Sequence, residues 1–244
     1  MQLYFNGMFN LFGCFKTVET VSSPLEINGL VSLWDNSTID NAAVNENDLL
    51  NEWNDKVSDN HATQTGVLRP KLHLNATSEK QVRFDNTWMN IGNSASLNFV
   101  GGVDEFTVVV KLGDVAGTTG YMFSKAIQNG TERQYALLYD QGTVATILRG
   151  NFSYLSHNAY ALQPNDLIIW TVSTLVQKVT VNDFLITDNG VVNTNYTPNN
   201  TADVNIGSRT NGTFRYNGDI AFIACYNRVL TDTEINKIKA EFNA

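Results

Sequence analysis

From Phe99 onward the sequence is a succession of short runs with period-two alternation separated by turn signals. Phe106, Val108, Val110 and Leu112 alternate with Thr107, Val109 and Lys111. Successive side chains of a strand point to opposite faces, so this run predicts a strand with one continuous apolar face. Turn signals fall at Gly113-Asp114, residues 117–120, Gln128-Asn129-Gly130 and Asp140-Gln141-Gly142. Residues 121–125, 135–139, 144–148, 167–172 and 176–186 supply further strands. Many short strands joined by tight turns predict an all-β sandwich.

The segment 216–242 closes the pattern. Over residues 219–226 the apolar side chains occupy both parities: Ile220, Phe222, Ala224 and Tyr226 on one, Ala221, Ile223 and Cys225 on the other. A strand of that kind is covered on both faces and belongs to the interior. Asn217-Gly218-Asp219 reads as the turn before it. Thr231-Asp232-Thr233-Glu234 after it is a capping box, with Leu230 and Ile235 spaced as a hydrophobic staple. The short helix that follows puts Ile235, Ile238 and Phe242 on one face and Asn236, Lys237, Lys239 and Glu241 in water, so it is expected to lie as a lid on the body.

The order turn, buried strand, Asn-Arg-Val-Leu, capped short helix resembles the closing segment of the concanavalin A-like lectin/glucanase superfamily, in its laminin-G-like and pentraxin-like branch. Gly218, Ile220, Tyr226, Asn227, Arg228, Leu230, Thr231, Glu234 and Ile235 fit that wording. Leu33-Trp34-Asp35, Trp53, Asp55-Lys56, Ala62-Thr63-Gln64, Arg69-Pro70 and Val82-Arg83-Phe84-Asp85 resemble an opening module of phage and bacterial members. Asn205-Ile206-Gly207-Ser208 is similar to the strand that precedes the closing segment. The sequence departs from the pattern at Val57-Ser58-Asp59, where the superfamily has Ser-Gly, and at Asn86, where it has Gly. The resemblance covers residues 30–242 and implies an all-β, two-sheet antiparallel jelly-roll sandwich with a short helix near its C-terminal end. Residues 30–244 are then one domain and residues 1–29 an N-terminal apolar anchor segment and linker. Trp34 and Trp53 are expected as core anchors.

Composition narrows the function classes. A hydrophobic fraction of 43% with 16% charged residues excludes disorder across 244 residues. A net charge of -8 without a Lys/Arg cluster leaves no electrostatic footprint for nucleic acid. Asn outnumbers Lys and Arg together nearly two to one, a polar uncharged surface of the kind that hydrogen-bonds sugars. Cys14 and Cys225 form no disulfide framework and no zinc spacing, and Cys225 reads as a buried apolar filler. Residues 1–15 are Phe-rich, lack a basic n-region and are broken by Asn6, Gly7, Asn10 and Gly13, so neither a secretory signal nor a membrane span is expected. Two readings stay open for this segment: a first strand packed on its own domain, or a peptide that docks into another protein. Met1 to Val21 is expected to attach the domain to a larger assembly.

Glucanase members of the superfamily carry paired carboxylates on one strand, because a retaining mechanism needs acid and nucleophile close together. No such stretch occurs. Asp104-Glu105 would point oppositely, Glu52 and Asp55 have the wrong spacing, and Asp232 and Glu234 belong to the helix cap. His61, His73 and His157 are scattered and read as surface histidines, and no Gly-x-Ser-x-Gly or phosphate loop is present. The chain is therefore expected not to be an enzyme and to require no cofactor. For glycan binding, the densest set of aromatic and polar residues is Arg149, Asn151, Phe152, Tyr154, His157 and Tyr160, with Asn158, Tyr135 and Tyr139 close in sequence and Trp88 as a second candidate. Half-buried strand residues are the alternative reading of Phe152, Tyr154 and Tyr160. Calcium, which the resemblance implies, would draw on Asp114, Asp188 and Asn189, expected in loops. The expected function is a phage virion structural protein (head or tail fibre, decoration or receptor-binding) whose lectin-like domain binds host surface glycans. It would assemble with other virion proteins through residues 1–21 and form a homo-oligomer. The alternatives are a secreted or cell-surface bacterial carbohydrate-binding module and, third, a glycan hydrolase or lyase.

Overall fold

The structure is a computed structural model that describes residues 23–100, 103–117, 119–126, 133–148, 153–157, 160–174, 176–191 and 201–242. In chain order its strands are β1 (Leu30–Trp34), β2 (Glu52–Trp53), β3 (Ala62–Thr63), β4 (Lys71–Leu74), β5 (Lys80–Phe84), β6 (Met89–Gly92), β7 (Phe106–Ala116), β8 (Thr119–Ala126), β9 (Arg133–Asp140), β10 (Thr143–Leu148), β11 (Ser153–His157), β12 (Leu167–Val172), β13 (Val176–Val181), β14 (Phe184–Val191), β15 (Val204–Ile206) and β16 (Asn217–Tyr226). The helix α1 (Asp232–Phe242) follows.

The strands form two antiparallel sheets, as the turn spacing predicts. The first runs β14-β13-β12-β7-β16-β5-β4, with β1 also on β16; the second runs β11-β10-β9-β8-β15-β6-β3-β2. β16 is long enough to take two neighbours on one side. Its first residues pair with β5, from Gly218 with Phe84 to Ile220 with Val82, and its last with β1, from Ile223 with Trp34 to Tyr226 with Leu30. The main core lies between the sheets. Trp34, Trp53, Phe84, Phe106, Phe123, Tyr135, Trp170 and Tyr216 are its largest fully buried members. Both opening tryptophans are the anchors expected, and each indole N–H finds a carbonyl: Trp34 Nε1 donates to Asn60 O at 3.1 Å and Trp53 Nε1 to Asp35 O at 2.9 Å.

A second, smaller core lies on the outer face of the first sheet. Phe222, Ala224, Tyr226, Val109, Leu167 and Ile169 are covered there by Leu230, Ile235 and Ile238, and Phe242 packs on Phe222 with ring centroids 4.3 Å apart. This is the lid expected of α1, and its cap is formed in both directions: Glu234 N donates to Thr231 Oγ1 and Thr231 N to Glu234 Oε2. Cys225 is buried and free, and burial pushes its thiol up, as suits a filler; Cys14 lies outside the described residues. Residues before Leu30 also pack against the body: Tyr226 Oη donates to Pro24 O, Arg228 Nε to Asn28 O, and Ile27 joins the smaller core. Among the described residues no helix is long and apolar enough to cross a membrane.

Three local expectations are corrected. Asn217-Gly218-Asp219 is the start of β16, not a turn before it. Gly113-Asp114 lies inside β7, and Asp188 and Asn189 lie inside β14, so none of the three calcium candidates sits in a loop. Tyr135 and Tyr139, placed near the glycan set by sequence, face the inter-sheet core at 0% and 8% exposure.

Candidate functional site

Two β-bulges build a polar end onto the first sheet. Along the β7 and β16 pair, Gly218 faces Val115 and Ile220 faces Leu112, so β7 carries an extra residue in that step. The next step sets Phe222 opposite Lys111, and the extra residue passes to β16 at Ala221. Bulges re-aim the side chains beside them. Leu112 and Val115 both pack with the inter-sheet core, which leaves Gly113 and Asp114 together on the outer face. Ala221 does the same for β16, so Asp219 shares its outer face with Phe222. On β4 and β5, Leu72, Val82 and Phe84 take the core, so His73 and Arg83 join that same outer face.

These side chains form one charged cluster. Arg83 donates to both oxygens of Asp219, Nε to Oδ1 and Nη2 to Oδ2, each at 2.9 Å. Asp219 is fully buried, while the Asp114 side chain is 65% exposed and opens the cluster to solvent. His73 Nε2 stands 3.5 Å from Asp219 Oδ2 and 3.9 Å from Asp114 Oδ2. Its Nδ1 is 3.0 Å from Glu46 Oε1, and Glu46 is itself fixed by the Leu74 N–H at 2.7 Å. The hydrogen bond with His73 holds the Glu46 carboxyl below the usual carboxylate range, and that with Asp219 pushes the Arg83 guanidinium up. Gly113 makes the close approach feasible. A Cβ there would lie 2.1 Å from Gln81 Oε1 and 2.7 Å from Asp219 Cβ.

The cluster continues into a rim made by the turn after β5 and the loop before β16. Asn86 N donates to Asn217 Oδ1 at 2.7 Å, and Arg215 Nη1 donates to Asn86 O at 3.0 Å. Beyond them Phe214 is 53% exposed and holds a left-handed backbone, φ 51°, unusual for a non-glycine residue. The nearly buried Arg209 guanidinium lies 4.6 Å from the Phe214 ring centroid and 5.9 Å from that of Tyr121, so the aromatic is propped from beneath. Trp88 closes the rim, its indole N–H buried against Gly212 without a hydrogen-bond partner among the described residues; a Cβ at Gly212 would lie 2.5 Å from Nε1. A depression of about 390 Å³ between cluster and rim is lined by Arg83, Asp85, Asp114, Asn217 and Asp219. Such a surface offers carboxylate and amide oxygens as acceptors and guanidinium and amide N–H groups as donors.

The structure brings together some of the sequence candidates and separates others. Trp88 and Asp114 belong to this end. Asp188 and Asn189 do not: β14 is three strands from β7, at least about 14 Å away at the usual strand spacing, so the calcium trio makes no single site. Tyr160 is half-buried, with its hydroxyl 3.2 Å from Asp166 Oδ1 and its ring 5.7 Å from Phe184, a packing residue rather than a platform. The backbones of Tyr154 and His157 lie on β11, at the far edge of the second sheet. Arg149, Asn151, Phe152 and Asn158 lie outside the described residues. Phe214, Arg209, Asp219 and His73 were missed. His73 is not a scattered surface histidine, since its side chain sits between three carboxylates.

No protein-family model and no curated protein matches the chain. Among solved structures it is similar to Trypanosoma rangeli sialidase in complex with sialic acid, at 15% identity and a TM-score of 0.61, over 89% of this chain and 33% of that one. It is also similar to the binding domain of Paraclostridial Mosquitocidal Protein 1, at 10% identity and a TM-score of 0.58, over 85% of this chain and 53% of that one. The chain thus spans about a third of the sialidases' length. At these identities the likeness carries the fold alone, an antiparallel sandwich. It nevertheless overturns the expectation that the chain is not an enzyme. Sialidases are glycoside hydrolases that work with a tyrosine nucleophile, so a missing same-strand carboxylate pair does not exclude glycan hydrolysis for a fold found within them.

Proposed function

We propose that the chain is a glycan-binding sandwich of the concanavalin A-like, laminin-G-like jelly-roll type, carried on a phage virion as a fibre, decoration or receptor-binding protein. The observation that carries the glycan reading is the rim at the start of β16. There an exposed Phe214, propped by Arg209, stands in the loop that leads to Asn217, and Asn217 lines a depression with Asp85, Asp114 and Arg83. Sugar rings present apolar C–H faces and rows of hydroxyls, and an aromatic beside mixed donors and acceptors answers both. The virion assignment draws on the opening module's wording and on residues 1–21 as an attachment peptide to other virion proteins. A second reading, a secreted or cell-surface bacterial carbohydrate-binding module, is favoured by the likeness in fold to the binding domain of Paraclostridial Mosquitocidal Protein 1.

The test is a glycan array probed with the full chain, sialylated glycans included, for wild type and Phe214→Ala. Binding that falls roughly tenfold or more in Phe214→Ala is expected, on the scale of a lost aromatic contact in a binding site. An array without signal, or one that Phe214→Ala leaves unchanged, removes the rim from consideration. Sugar released from the same array separates turnover from binding.

A further inference from the structure

We propose that His73, Asp114 and Asp219 hold one divalent transition-metal ion of the zinc class on the outer face of the first sheet. This inference does not rest on the glycan reading. The three ligand atoms lie within 4.8 Å of one another, with His73 Nε2 at 3.5 and 3.9 Å from the two aspartate oxygens. Ligands about 2.0–2.2 Å from a tetrahedral zinc stand roughly 3.4 Å apart, so a small inward movement of the exposed Asp114 completes the set.

Four further features converge on the same point. First, Glu46 Oε1 lies 3.0 Å from His73 Nδ1, so with the proton on Nδ1 toward Glu46 the Nε2 lone pair is the one turned to the two carboxylates. A carboxylate behind the imidazole is the arrangement that orients metal-binding histidines. Second, charge is unbalanced. Glu46, Asp114 and Asp219 contribute three negative charges and Arg83 one positive, an excess of two that a divalent ion neutralises. Third, Asp219 remains competent as a ligand although Arg83 occupies it, because each carboxylate oxygen has two lone pairs and Oδ2 faces His73. Fourth, the Tyr216 hydroxyl is fully buried without a hydrogen-bond partner among the described residues and reaches the underside of the site at Gly218, where a Cβ would lie 2.4 Å from it and 2.8 Å from Asp114 O. An imidazole nitrogen among the donors favours zinc, nickel or iron over calcium, which takes oxygen ligands in larger number. Three protein ligands leave open positions on the side of Asp114 and the depression.

The full chain, freed of metal with a chelator, is titrated with zinc chloride alone, then with calcium chloride alone, by calorimetry and thermal melting. One zinc per chain and a raised melting temperature are expected. His73→Gln and Asp114→Asn should each abolish the melting shift. Glu46→Gln, which does not touch the ion, should weaken zinc roughly 10–100-fold, as the loss of an orienting carboxylate does. X-ray absorption of the zinc-loaded wild type should show nitrogen and oxygen ligands with a single imidazole, a readout independent of any variant's folding. Absence of zinc binding by the folded wild type, calcium bound in preference to zinc, two or more imidazoles on the ion, or zinc affinity unchanged in both His73→Gln and Asp114→Asn would each overturn the site.

Discussion

The two halves of β16 present the same outer face and are covered in opposite ways. The C-terminal half carries Phe222, Ala224 and Tyr226 and lies under α1. The N-terminal half carries Asp219, paired with Arg83, and has no lid among the described residues; Asp114 beside it stands in solvent. A helix with an apolar stripe can cover only as much sheet as its own length. Where α1 stops, the same face must satisfy itself with charge. The contrast teaches that stability and chemistry are divided along one strand: the lidded half buries apolar area, and the open half leaves polar groups within reach of a ligand.

That division predicts unequal costs. Phe222 is nearly buried and packs on the tilted ring of Phe242, so Phe222→Ala should lower unfolding free energy by about 3–5 kcal/mol through lost transfer energy and the cavity left between sheet and helix. Chemical denaturation measures it. Asp219→Ala should cost less, about 1.5–3 kcal/mol, because it removes two charge-assisted hydrogen bonds from Arg83 while that half-exposed guanidinium can recover water. A larger loss for Asp219→Ala than for Phe222→Ala would break the comparison and make the charged half a structural staple.

Much of the lidded half was legible in the sequence, and the open half was not. The strand's two-sided apolar pattern, the Thr231 to Glu234 cap and the Leu230 and Ile235 staple are local signals, each settled by residues a few positions apart. Trp34 and Trp53 announce themselves by size. Asp219 and His73 become neighbours only after β4, β5, β7 and β16 are in register, and two bulges decide which face Asp114 and Asp219 take. A period-two reading puts Asp219 and Phe222 on opposite faces; the extra residue at Ala221 puts them on the same one. Gly113 was the available trace, but beside an aspartate it reads as a turn. Phe214 was overlooked for a similar reason, since a left-handed Phe has no sequence signature and the Arg209 beneath it is a contact set by the loop fold.

The smallest effect sharpens the comparison by asking what charge does inside the lidded half. Glu234 is the cap's carboxylate, bonded to Thr231 N at 2.9 Å and to Arg228 Nη1 at 2.9 Å, and Arg228 in turn donates to Asn28 O. The Arg228 hydrogen bond first, and those from Thr231 after it, bring its pKa down to about 2. A carboxyl depressed on folding contributes stability that is complete above its unfolded value and is lost as pH falls through its folded one. Glu234→Gln keeps the shape and removes the charge, so its cost should be about 1 kcal/mol at pH 6, the scale of one cap and one surface ion pair. The gap between wild type and variant should begin to close near pH 4.5 and vanish near pH 2, followed by denaturant melts at several pH values. A gap near zero at every pH would mean the cap works through packing of Leu230 and Ile235 alone, and that charge has no part in the lidded half of the strand.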